Sequence, residues 1–472
     1  MENKIKVLFY NLDGAGVNYF RTLTPATEIE RNHSDEFQVE INSQIDFNNP
    51  NTLDYLKSFN IIHYHRQLHP DVRMMHQLAN ELRKNGTVLI VDIDDYWELH
   101  KKHPLYGLSL EKKMYIPIIQ NLKIADYVTT TTEAFVEEIR KVTGKDNVIA
   151  LYNSIDPEWM KQFQNNWKPD PDGKVRIVYA AGSSHLGDIE QLENAFNVLS
   201  NDFEIKDKFK VILAGFDCEG TTTDISFNEE FKKELERIRL WTPDMIKSIN
   251  KSRGNIDLIP KLPDAVREKF RNNIFLVNER PIKSEESVYY TYEKILTDNH
   301  KMVQDKDYVE WLLNFERNIN YPHEVNYCRR WTQKANIYAK VLDEADIVIA
   351  PLADNKFNSM KSSLKQIECW TRKLPIVCSN VVPYNVDGRH MENCMLVPNE
   401  KNAHKYWGKY LKKLILDADL RKKLGEQLYE DFHEKYHLAN VTKTRTDFYR
   451  TILPVSRENV DRLKQLVVET EK

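Results

Sequence analysis

The chain has 472 residues, more than one hydrophobic core organises comfortably, and 41% of them are apolar, which excludes a disordered polymer. Its 67 basic and 71 acidic residues leave a formal net charge of -4, which weakens a nucleic-acid role and leaves a peripheral membrane contact open. Five cysteines (Cys218, Cys328, Cys369, Cys378 and Cys394) are scattered and never in C-x-x-C spacing, so they build no disulfide framework and fit a reducing compartment.

In chain order, Lys4–Asn11 reads as a strand, without the h-region of a signal peptide, and leads through the Gly14/Gly16 turn into a helix reaching Arg21. Strands follow over Asn60–His65, Val88–Asp92 and Tyr127–Thr130, with helical periodicity over Asp71–Lys84 and from Thr132 through Lys141. Asn147–Leu151 is a further strand. Short apolar strands separated by helices predict a parallel sheet covered on both faces. The polar, proline-rich run Lys168–Gly173 marks a seam.

Beyond it the alternation restarts. Val175–Tyr179 is a strand, Asp188–Leu199 a helix and Val211–Gly215 a strand. Residues 217–325 read as an insertion, with Glu229–Arg239 helical, Ile274–Val277 extended and Tyr289–Phe315 mostly helical. That insertion is an extra helical layer or homodimer surface, or else a substrate-binding element. Trp331–Leu342 is helical, Asp346–Ala350 a strand, Ser362–Thr371 a helix and Pro375–Cys378 a strand. The expected domains are therefore 1–167, then 174–450 with its insertion, then a helix over 451–472 that could fold back on the first. No segment has the length of apolar chain needed to cross a bilayer, so the expectation is a cytoplasmic protein, soluble or membrane-peripheral.

The richest chemistry lies between Ala345 and Asn380. A strand ends at Ala350, a polar loop follows, and a helix starts near Ser362 and Ser363, whose free N–H groups offer an anion site for a diphosphate. Lys361 and Lys365 are four residues apart and can share a face as phosphate partners, and Glu368 is spaced to accept from ribose hydroxyls. A capped surface helix with solvated charges is the competing reading.

The run Ala345-Asp346-Ile347-Val348-Ile349-Ala350-Pro351-Leu352, then Phe357-Asn358, Lys361-Ser362, Lys365, Glu368 and Leu374-Pro375-Ile376-Val377, resembles the donor-binding motif of GT4-type glycosyltransferases. It is similar to the variant in O-antigen, spore-coat and phage-borne sugar transferases. The resemblance implies a GT-B fold: two Rossmann-like parallel-sheet domains facing across a cleft, here with a helical insertion in the second. It implies that Glu368 binds the donor ribose and that the helix start holds the pyrophosphate. The commoner pattern has a second glutamate eight residues earlier, where this chain has Met360, so sugar-hydroxyl recognition passes to Asn355 or Asn358.

Leu12–Arg21, with Gly14, Gly16 and Arg21, resembles the family's glycine-rich first loop. Ala125–Thr132 resembles the stretch that introduces the last helix of its first domain. Asn153-Ser154-Ile155-Asp156 resembles its interdomain phrase, and Gly182–Asp188, with His185, the first loop of its donor domain. His63 and His65 alternate on one strand and so share one side; His63 is a structural histidine or a site residue, and the resemblance implies that His65 contacts the donor sugar or leaving phosphate. Asp92, Asp94 and Asp95 follow a strand and read as acceptor-binding residues, as a wall of the cleft, or as metal ligands. Since GT-B enzymes generally work without a metal, no metal site and no tightly bound cofactor are expected.

The resemblance implies transfer of a hexose from a nucleotide-diphosphate sugar to a saccharide or lipid-linked glycan, with retention, the leaving phosphate helping to deprotonate the acceptor. Lys361 and Lys365 then stabilise the leaving group. Glycosylation of modified DNA bases is an alternative, and so is a catalytically inactive glycan- or nucleotide-binding protein.

Overall fold

A computed structural model of the chain describes residues 4–12, 16–103, 105–158, 173–182, 185–215, 221–252, 256–271, 273–281, 327–330 and 338–453. Six parallel strands form a first sheet: β1 (Ile5–Tyr10), β2 (Phe37–Asn42), β3 (Ile61–His65), β4 (Val88–Ile93), β5 (Tyr127–Thr130) and β6 (Val148–Ala150), in the order β2-β1-β3-β4-β5-β6. β3 and β4 are buried along their whole length, as strands covered on both faces are, and they carry His63, His65 and Asp92 inside with them. The crossover helices carry their own start signals. Asp71 caps Val72–Lys84 through bonds from the Arg73 and Met74 amides, and Thr132 caps Glu133–Thr143, which ends on Gly144 at φ 71°.

The chain continues through β7 (Val175–Ala180), β8 (Phe209–Ala214), β9 (Thr221–Phe227), β10 (Phe275–Pro281), β11 (Tyr327–Arg330), β12 (Ile347–Ala350), β13 (Ile376–Ser379) and β14 (Met395–Val397). β9 and β10 pair antiparallel with each other. The other six make a second parallel sheet in the order β11-β8-β7-β12-β13-β14. Strand order reverses between β1 and β3 in the first sheet and between β7 and β12 in the second. Open parallel sheets bind ligands outside the carboxyl ends of strands at such reversals, so the segments after these four strands are the places to look.

Both sheets belong to one compact unit, Met1–Phe216 with Tyr292–Lys472, and each lends the other a pair of side chains. Tyr19 and Phe20 join the apolar cluster of the second sheet with Val178, Val348, Trp370 and Ile376, while Phe357 and Met360 join that of the first with Tyr96, Trp97 and Phe135. The helix over residues 438–453 lies on the first sheet, where Tyr449, Ile452 and Leu453 cluster with Val7, Phe9 and Ile90. Asp217–Thr291 is a compact unit of its own, in which helices Glu229–Arg237, Pro243–Lys251 and Asp264–Phe270 surround Phe231, Leu235, Ile249 and Phe270. No described helix is long and apolar enough to cross a membrane.

Several elements differ from expectation. The helix expected from Asp188 to Leu199 is broken into Leu186–Ile189, a 3-10 turn Glu190–Leu192, and Ala195–Ser200, with Asn194 at φ 67° between the last two. Tyr338–Glu344 is a 3-10 helix, and residues 331–337 lie outside the described residues, as do Gly14, 289–315 and the part of the seam at 168–172. β2, β9, β11 and β14 are additional to the strands read from sequence.

Candidate functional site

The first sheet contributes a buried ion pair. Arg21 sits in a π-helical turn, Tyr19–Leu23, and its guanidinium grips Asp92 of β4 with two bonds, Nε to Oδ2 at 2.9 Å and Nη2 to Oδ1 at 2.6 Å. Burial works to raise the Asp92 pKa, but Arg21 outweighs it and holds the carboxyl well below the usual range. Thr129 donates to the same carboxylate at 2.6 Å, and His63 stands between the Thr129 hydroxyl (3.0 Å) and the Tyr449 hydroxyl (2.6 Å). Burial and the nearby Arg445 push His63 down to about 3, so it is neutral at ordinary pH. These groups face one another inside the protein and brace the sheet.

Arg21 also reaches outward. Its Nη1 donates to the Leu151 carbonyl at 2.5 Å and to Asn153 Oδ1 at 3.2 Å, and the Asn153 amide donates to Ser362 Oγ at 2.8 Å. One polar chain therefore joins Asp92 to the loop that follows β12. Because Ser362 Oγ accepts from Asn153, its hydroxyl keeps its own proton to donate.

β3 ends at His65, whose Nε2 lies 2.9 Å from Asp94 Oδ1, with the Arg66 guanidinium 3.3 Å from the same oxygen and 3.6 Å from Asp95. Burial would raise Asp94, but His65 and Arg66 keep it well below its ordinary value. Asp95 moves the other way, raised by burial and by Asp94, while Lys361 pulls against that shift.

From the second sheet, the segment after β7 brings His185 to Asp188 at 2.7 Å. Asp188 also ties down the segment after β12, accepting from the Ala353 amide at 2.8 Å and from Asn358 Nδ2 at 2.9 Å. Burial works to raise the Asp188 pKa, but His185, Lys361 and the Ala353 amide lower it. Asn355 caps the turn Lys356–Ser359 by accepting from the Asn358 amide at 2.9 Å, and Asn358 is buried with its Oδ1 unbonded. A Cβ on Gly215, at φ 90°, would stand 2.5 Å from the Ala181 carbonyl, so only glycine fits there against the β7 loop.

Lys361 is half-buried and pairs with no carboxylate among the described residues; its Nζ lies 4.9 Å from the Phe357 ring centroid. Its charge acts on groups of both lobes, helping to lower the pKa of His100, His103 and His185. The helix after it is Leu364–Trp370, with Ser363 as an N-cap residue whose hydroxyl makes no capping bond. Lys365 Nζ meets Glu368 Oε2 at 2.9 Å. Burial pushes the ammonium down to about 8 and the carboxyl up to about 8, so removing either group leaves the other costly to charge.

The structure thus gathers His185, Asn355, Asn358, Lys361, Ser362, Ser363, Lys365 and Glu368 on the β7 and β12 side, and His65, Asp94 and Asp95 after β3 and β4. Arg21 and Asp92 stand behind the first-lobe surface, as a brace. Gly16 and Gly182 have open space, since a Cβ on either would meet nothing within 4 Å. Asn153 and Asp188 are connectors that sequence reading named only as parts of phrases. Met360 is buried in the first-lobe cluster, where a glutamate would be stranded. Among the described residues no three His, Cys, Asp or Glu side chains converge as metal ligands would.

This architecture is GT-B, the two-lobed glycosyltransferase fold. HepE of Anabaena in complex with UDP superposes with a TM-score of 0.51 at 11% identity, over 94% of this chain and 100% of that one. Sucrose-phosphate synthase of Thermosynechococcus elongatus gives 0.53 at 10% identity, over 96% and 100%. A glycosyltransferase of Rickettsia africae gives 0.51 at 11%, over 96% and 99%. No protein-family model and no curated protein sequence matches the chain, so the likeness is one of fold.

Proposed function

We propose that the protein is a glycosyltransferase of GT4 type that moves a hexose from a nucleotide-diphosphate sugar to a saccharide or lipid-linked glycan, with retention and without a metal, at the cytoplasmic side. The observation that carries this reading is Lys361. It is a half-buried cation that forms no ion pair within 4 Å among the described residues, although Asp95 and Asp188 feel its charge, and it lies beside Ser362 and Lys365, where strand order reverses. A diphosphate gives this cation a direct partner. The first N–H groups of Leu364–Trp370 and the Ser362 hydroxyl add donors to its oxygens.

Glu368 then accepts from the ribose, and His65, held by Asp94, faces the sugar or the leaving phosphate. Charge developing on the leaving diphosphate is stabilised by Lys361 and Lys365, while its oxygen takes the acceptor proton on the same face of the sugar. With Met360 turned into the first lobe, Asn355 and Asn358 are the polar groups nearest in sequence for the sugar hydroxyls.

A screen of UDP-, GDP- and ADP-sugars with mass spectrometry of the products tests this. Transfer or slow hydrolysis of at least one donor is expected, with Lys361→Ala lowering kcat by about 100-fold. A folded protein that turns over none of them contradicts it.

A further inference from the structure

The connection after β4 carries a surface unlike the rest of the molecule. Among the described residues fifteen large apolar side chains are exposed, and five of them (Leu105, Leu108, Leu110, Met114 and Ile116) fall in this one connection. They lie on and beside two short helices, Tyr106–Glu111 and Tyr115–Ile124, and Leu110 is 52% exposed. Lys101, Lys112 and Lys113 are exposed alongside them without an ion pair to a carboxylate among the described residues, against one exposed acid of the stretch, Glu111, while exposed Lys102 is held by Glu190. Tyr106 and Tyr115 are half-buried in the same stretch. The chain as a whole carries a net charge of -4, so this patch has the opposite sign to the molecule that bears it.

Exposed leucines, tyrosines at the margin and unpaired lysines are what an anionic lipid surface selects. The apolar side chains enter the headgroup boundary, and the ammonium groups meet lipid phosphates. The same connection starts at Asp94 and Asp95 and passes His100 and His103, whose rings lie 5.7 and 5.8 Å from that of Phe357. We propose that residues 101–103 and 105–116 dock the protein on an anionic bilayer. Docking there brings the acceptor side of the site to the membrane, so the acceptor is a lipid-linked glycan. This second step rests on the glycosyltransferase reading, whereas the docking does not.

Sedimentation of the full chain with vesicles of phosphatidylglycerol and phosphatidylcholine, and of phosphatidylcholine alone, tests the proposal. Binding is expected to the anionic vesicles only, and to weaken at about 0.5 M salt. Leu108→Glu with Leu110→Glu, and separately Lys112→Glu with Lys113→Glu, each lower the partition coefficient by about tenfold or more. Val386→Glu, at an exposed apolar residue elsewhere, leaves it unchanged. All these positions are on the surface, and a thermal melt of each variant confirms that it folds. Equal binding to neutral vesicles, no binding to either, or a self-association that the leucine variants abolish overturns the proposal. Nucleoside diphosphate titration of the same variants without vesicles separates the two claims, because it reads the donor site and is expected to be unchanged.

Discussion

Asn153 is the residue through which the buried brace meets the loop after β12. If its amide orients the Ser362 hydroxyl, then Asn153→Ala weakens nucleoside diphosphate binding by about tenfold, and adds almost nothing once Ser362 is already alanine. Additive losses in that double-mutant cycle would count against the relay. His63 makes a second residue-scale prediction. Its pKa falls from an ordinary 6.5 to about 3 on folding, so the unfolded chain takes up the proton first as pH drops. The group therefore costs nothing above about pH 6.5 and removes up to about 1.4 kcal/mol of stability per pH unit between there and about 3. Asp92, with a depressed pKa, adds stability at neutral pH that is lost only as pH falls below the ordinary carboxylate range. His63→Gln should flatten the loss between pH 6.5 and 4 in urea unfolding; an unchanged slope would assign it to other groups.

At the scale of elements, the exchange of side chains between the two sheets decides what Met360 does. Met360→Glu puts a carboxyl into an apolar cluster, and should cost about 2–4 kcal/mol in urea unfolding, against less than about 1.5 for Met360→Leu. Equal stabilities would show that the site opens to water. Close packing is tighter still where helix Ala418–Tyr436 crosses the loop at Lys373. A Cβ on Gly425 would stand 1.8 Å from the Lys373 carbonyl, so Gly425→Ala should destabilise by about 1–3 kcal/mol or more, although alanine favours a helix. A raised melting temperature would contradict this contact. Strands such as β3, β4 and β7 were legible in the sequence because burial on both faces leaves them mostly apolar, with one or two polar residues among β-branched and aromatic ones. β2 and β14 were not: the first alternates in burial at a sheet edge, and the second has three residues. The helix expected from Asp188 breaks at Asn194, whose left-handed backbone apolar periodicity does not register.

For the whole molecule, the repeated strand–helix alternation was enough to foresee two parallel sheets. What the sequence could not show is contact between segments far apart in the chain. Arg21 and Asp92 look like two cleft residues until their 2.6 Å contact places both inside, and Asn153 gains its meaning only from Ser362. The departure at Met360 likewise has a packing cause, visible only once Phe357 and Met360 are seen among residues of the first sheet. We propose above all that the loops after β7 and β12, at the middle of the second sheet, hold a nucleoside diphosphate through Lys361, Ser362, Lys365 and Glu368. Titration calorimetry of the full chain with UDP, GDP and ADP tests it most directly. The account predicts that one of them binds and that Glu368→Ala weakens it by about tenfold or more; no binding by any, or an unchanged dissociation constant in the variant, would contradict it.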